Sequence, residues 1–195
     1  MKMTFAANLN RLVRSPGSIA WVLCLWLCLC ITLAALPTRG IAGSPAKSQK
    51  QDPWPKDFEE ALQNPGKVTL YSLDPLRMNS VEQRQHEGEA LYQYKVLGKT
   101  PLSAGQAKEA IAEFKTAVTL WDGDWAKCFN PRHALRIERD GGQSYDLLLC
   151  YECSRMLAWK DGKYMFHYGV GGQPEKLNAL LSAAGVPLAK KPGEQ

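Results

Sequence analysis

The chain has 195 residues, enough for one domain and an export segment and too few for two domains of ordinary size. Its 45% apolar content is that of a chain that folds. The net charge of +5 does not mark a nucleic-acid binder: residues 1–42 hold Lys2, Arg11, Arg14 and Arg39 and no acid, and taking those four from the 24 bases leaves 20 against 19 acids, near +1, with no basic run.

Residues 19–36, IAWVLCLWLCLCITLAAL, carry no charge and one polar residue, Thr32. The run just reaches the thickness of a bilayer core and stands at the upper end of a signal-peptide apolar region. Lys2, Arg11 and Arg14 precede it without an offsetting acid. Positive flanks stay in the cytoplasm, so everything after residue 36 is expected on the non-cytoplasmic side. Gly40-Ile41-Ala42 offers a cleavage site after Ala42, while the long basic region and long apolar run suit a retained anchor, and both remain open. Cys24, Cys28 and Cys30 act as small apolar residues inside this run. The expected organisation is a signal peptide or N-terminal membrane anchor over 1–42, a flexible linker over 43–55, one α+β domain over 56–190 and a disordered tail over 191–195.

The linker, GSPAKSQKQDPWP, is polar and broken by prolines. A short helix over 56–63 stops at Asn64-Pro65-Gly66. Residues 67–73 alternate as a strand that ends at Asp74-Pro75, and 76–86 reads as a loop. Residues 89–97 read as a second strand, closed by Gly98. Ser103 with Gln106 three residues later forms a capping-box pattern. Behind it Ala107, Ala110, Ile111, Phe114, Val118 and Trp121 recur at helical spacing, with Lys108, Glu109, Glu113 and Lys115 on the other face. That is an amphipathic helix over about 104–120 whose stripe needs a sheet to cover it.

Residues 134–139 and 144–149 form a hairpin around Asp140-Gly141-Gly142-Gln143, and 155–160 and 163–168 a second around Asp161-Gly162. A last helix begins near Pro174, buries Leu177, Leu180, Leu181 and Ala184, and ends at Gly185 before Pro187. The expected fold is α+β: an antiparallel sheet of about five to six strands with two helices packed on one face, preceded by one hydrophobic N-terminal helix.

The first hairpin sets the chemistry. With Arg139 and Ser144 flanking a four-residue turn, Ala134 faces Leu149 and His133 faces Cys150, while Cys153 and Cys128 lie just beyond the strand ends. Cys128, His133, Cys150 and Cys153, spaced C-x4-H and C-x2-C, would then be four ligands able to close a tetrahedral zinc site. An exported domain meets an oxidising compartment, so a structural disulfide from Cys128 to Cys150 or Cys153 is an alternative, as is His133 serving only as a hydrogen-bonded structural residue at the strand start. A further one is redox chemistry at Cys150/Cys153, although reactive C-x-x-C pairs ordinarily sit at a helix N-terminus. Asp146 and Glu152 are single carboxylates without an evident partner, so no general acid–base pair emerges. Arg132 and Arg136 could meet an anionic ligand, and solvated charges on a strand face explain them more simply. These features point to a binding or structural domain of unknown partner, tethered through residues 19–36. The competing class is a thiol-redox protein or disulfide-stapled enzyme.

Cys128-Phe129-Asn130-Pro131-Arg132-His133, followed by residues 145–153 (YDLLLCYEC), resembles a family of uncharacterised bacterial exported proteins. Their signature reads C-F-x-P-R-H-G-I-R, then D-L-x-x-C-[FY]-x-C, with a final helix ending A-G-V-P-L. Ala184-Gly185-Val186-Pro187-Leu188 matches that ending, and Ala134 departs from the family's glycine. The resemblance covers about residues 125–190 and implies that the four Cys/His positions form one unit, held by metal or by a disulfide.

Overall fold

A computed structural model of the chain describes residues 51–191. The signal or anchor over 1–42, most of the linker and residues 192–195 of the tail lie outside the described residues. Among the described residues no helix is long and apolar enough to cross a membrane.

The strands are β1 (Lys67–Arg77), β2 (Ala90–Leu91), β3 (Tyr94–Pro101), β4 (His133–Glu138), β5 (Ser144–Cys150), β6 (Arg155–Lys160) and β7 (Lys163–Gly169). They form one seven-stranded sheet in the order β2-β3-β1-β4-β5-β6-β7, antiparallel throughout. The helices are α1 (Lys56–Gln63), α2 (Ser80–Gln85), α3 (Ala104–Thr119) and α4 (Glu175–Ala183).

The class is the expected one, and the counts differ for local reasons. The segment expected as one strand over 89–97 breaks at Tyr92 and Gln93 into β2 and β3, with Leu91 paired to Tyr94. Strand β1 runs through Asp74-Pro75 to Arg77, because the ladder to β3 is irregular there and no register bond is asked of the proline. Residues 80–85, expected as loop, are helical: Asn79 accepts from the Val81 and Glu82 amides, and Glu82 returns a carboxylate to the Asn79 N–H.

One face of the sheet carries Val68, Leu70, Leu135, Ile137, Tyr145, Leu147 and Leu149. Three helices cover it rather than two, since α1 adds Phe58, Ala61 and Leu62 to the stripes of α3 and α4. Phe58 meets the Tyr145 ring edge-on at 4.9 Å. The stripe of α3 keeps the expected Ala107, Ala110, Ile111 and Phe114, adds Ala117, leaves Val118 half-buried and Trp121 beyond the helix end, and buries Glu113, expected on the other face, against α4, where it holds Lys176 at 2.9 Å. Helix α4 ends in a Schellman closure: the Gly185 amide donates to the Ser182 carbonyl and the Val186 amide to the Leu181 carbonyl, with Gly185 at φ +69.

On the other face, among the described residues, no helix contributes to the apolar cluster. That cluster joins Tyr71, Leu73, Leu91, Tyr94, Ala134 and Leu148. The sheet curls toward this face into a half-barrel. Tyr92, in the turn between the first two strands of the sheet order, stacks on Trp159 of the sixth, with ring centroids 4.3 Å apart.

Candidate functional site

The first hairpin closes one residue tighter than its composition suggests. Gly141 and Gly142 both adopt positive φ (85° and 82°), and the Arg139 amide donates to the Gln143 carbonyl at 2.9 Å. The loop is therefore the three residues Asp140, Gly141 and Gly142. Glu138 pairs with Ser144, Ala134 with Leu148, and His133 with Leu149. Opposed residues share a face, so this single step moves His133 away from Cys150. His133 joins the helix-covered face with Leu135 and Ile137, while Cys150 shares the opposite face with Leu148 and Ala134.

His133 is 3% exposed. Its Nε2 lies 2.8 Å from Asn178 Oδ1 on α4, and its Nδ1 is buried with no partner. Burial pushes its pKa down to about 4, so it is a neutral, hydrogen-bonded core residue at neutral pH. The expected four-ligand set thus divides across the sheet.

The three cysteines do converge. Tyr151 to Ser154 turn the chain between β5 and β6, with Ser154 at φ +50. Inside this turn the Cys153 amide donates to the Cys150 sulfur at 3.1 Å. The loop before β4 crosses the same end of the sheet, where the Ala126 amide bonds the Cys153 carbonyl at 3.1 Å. That contact brings Cys128 onto Cys153, Sγ to Sγ, at 2.9 Å. The Asn130 backbone N–H is directed at the sulfurs of both Cys150 and Cys153. Cys128 is exposed, whereas Cys150 and Cys153 are buried at 1% and 0%. Burial pushes both buried thiols up, Cys153 to about 11, and the thiol–thiol hydrogen bond to Cys153 raises Cys128. Among the described residues no group of three or more His, Cys, Asp or Glu side chains is arranged to hold a metal ion.

The neighbouring charges are paired, contrary to the sequence expectation. Asp146, 1% exposed, receives Arg136 through Nε at 2.6 Å and Nη2 at 2.9 Å, and the Tyr92 hydroxyl at 2.8 Å. Arg132 donates to Glu152 at 2.6 Å and to the Lys190 carbonyl at 2.9 Å.

Beside the thiols on the opposite face is a cavity of about 470 Å³ that sequence reasoning missed. Its wall includes Tyr92 and Trp159, which are 67 residues apart and meet only because the sheet curls. Phe129, next to Cys128, and Arg155, two residues past Cys153, connect it to the thiol cluster. The chain matches no family model, no curated protein and no solved structure.

Proposed function

We propose that the chain is an exported or membrane-anchored small binding domain stapled at its sheet end by its cysteines. In this reading Cys128 and Cys153 are joined as a disulfide and Cys150 remains a thiol. The observation that supports it is the 2.9 Å approach of the Cys128 and Cys153 sulfurs, beside the backbone bond from the Ala126 amide to the Cys153 carbonyl that ties the loop to the turn. The apolar run at residues 19–36 supplies the compartment, because disulfides persist outside the cytoplasm.

The bond forms by thiol–disulfide exchange with a disulfide donor of that compartment. Cys128, the exposed thiol, loses its proton and attacks the donor. Cys153 then resolves the mixed disulfide, and the donor leaves carrying two electrons and two protons. The acidities support a staple over a catalyst. Reactive cysteines have depressed pKa values, and burial here drives Cys150 and Cys153 the other way.

A second reading, zinc held by Cys128, Cys150 and Cys153, is favoured by the N–H groups of Cys153 and Asn130 directed at the Cys150 sulfur, since such bonds stabilise a thiolate. It requires a fourth donor other than His133.

The test is thiol titration and metal analysis of the full chain, isolated in mild detergent without reductant. The staple predicts no zinc and a single free thiol among the three positions after denaturation. One zinc per chain with three thiols would support the second reading. Three thiols without metal would refute both.

A further inference from the structure

We infer that the cavity on the face opposite the three packed helices is a binding site for a small organic carboxylate with a flat apolar body. This deepens the binding-domain reading above and rests on it.

The cavity is built for charge as well as apolar surface. Arg77 and Arg155 both line it, and among the described residues neither has a carboxylate partner, whereas Arg132, Arg136 and Arg139 are each paired. The Nε of Arg155 is buried and has no hydrogen-bond partner at all. A buried guanidinium N–H left unpaired is costly, and an acceptor supplied by a ligand would satisfy it. Both guanidinium groups act electrostatically on Tyr94, which lines the same cavity, so they address one region. Planar forks of this kind recognise an oxyanion through two parallel hydrogen bonds.

The remaining wall selects a flat body. The Tyr92 ring lies on Trp159 at an interplanar angle of 24°, and Leu157 and Phe129 extend the apolar lining. Arg155 itself stands over the Phe129 ring at 5.4 Å. Tyr92 holds its place at φ +57, a backbone conformation that favours glycine or asparagine. What retains a tyrosine there is its side chain, stacked on Trp159 and hydrogen-bonded to Asp146 at 2.8 Å. The volume of about 470 Å³ falls within the roughly 300–1,000 Å³ of small-molecule sites. A bare inorganic anion would leave the aromatic half unfilled, and a neutral aromatic would leave Arg155 unpaired.

The experiment is calorimetric titration of the full chain in detergent with 1-naphthoate, its neutral isostere 1-naphthamide, and inorganic phosphate, each corrected for the detergent alone. Naphthoate is expected to bind once per chain, with the amide and phosphate each at least tenfold weaker. R155Q and R77Q should each lower naphthoate affinity at least tenfold. R155Q should leave the thermal midpoint unchanged or higher, because it removes an unsatisfied donor. Trp159→Phe should abolish the tryptophan fluorescence change on binding. No naphthoate binding, equal binding of acid and amide, phosphate as tight as naphthoate, or an unaffected R155Q would overturn the inference. Naphthoate binding by a chain without a Cys128–Cys153 bond would sink only the staple. The bond without naphthoate binding would sink only this site.

Discussion

His133 offers the sharpest test of the hairpin register. As a zinc ligand its removal would act through metal, whereas as a buried neutral imidazole it acts through protons. The folded state holds its pKa near 4 against 6.5 for the free side chain, because burial penalises the cation and Nδ1 has no acceptor to meet a second proton. The stabilisation tied to this residue is therefore fully present above pH 6.5 and is lost as pH falls through about 4, since the unfolded chain takes up the proton first. At roughly 1.4 kcal/mol per pH unit the displacement amounts to about 3 kcal/mol. Urea denaturation of wild type and His133→Gln between about pH 7.5 and pH 4 measures it. Glutamine can still donate to Asn178 and does not titrate, so the wild type should lose about 3 kcal/mol more than the variant over that range. Parallel pH profiles for the two proteins would refute the argument, as would a loss of stability on adding a chelator to wild type alone.

Other consequences are open to the same denaturation assay. Arg136→Met leaves Asp146 buried without its cation and should cost about 3 kcal/mol at neutral pH. Tyr92→Phe removes one hydrogen bond to that carboxylate and should cost about 1–2 kcal/mol, while the ring stack on Trp159 persists. Cys128→Ala removes the proposed cross-link to Cys153, which would close a loop of 25 residues' separation. The entropy of closing such a loop predicts a loss of about 3.5 kcal/mol relative to the non-reduced wild type, and no difference once both are reduced. A cost that survives reduction would show that packing, not the cross-link, is what the variant removes.

Much of the fold is legible where local chemistry decides it. The Ser103–Gln106 box starts α3, Asp161-Gly162 turns with both residues at positive φ, and Gly185 ends α4. The site is less legible because it depends on a count. The composition Asp-Gly-Gly-Gln announces a turn without saying whether three or four residues make it. Two glycines at positive φ choose three, and that one-residue step sends His133 to one face and Cys150 to the other. The meeting of Cys128 with Cys153 survives the slip, because both lie beyond the strand ends, where the Ala126–Cys153 backbone bond ties loop to turn. The cavity has no local signature at all. Arg77 and Tyr92 toward one edge of the sheet and Arg155 and Trp159 on β6 come from distant segments, and the curl of the sheet joins the two pairs.

Proteolytic fragments of the non-reduced full chain, alkylated before digestion and mapped by mass, report directly on which sulfur holds which. The account predicts one cross-linked pair containing Cys128 and Cys153, with Cys150 recovered as a modified thiol. A link between Cys150 and Cys153, or Cys128 recovered alkylated in every molecule, would contradict it.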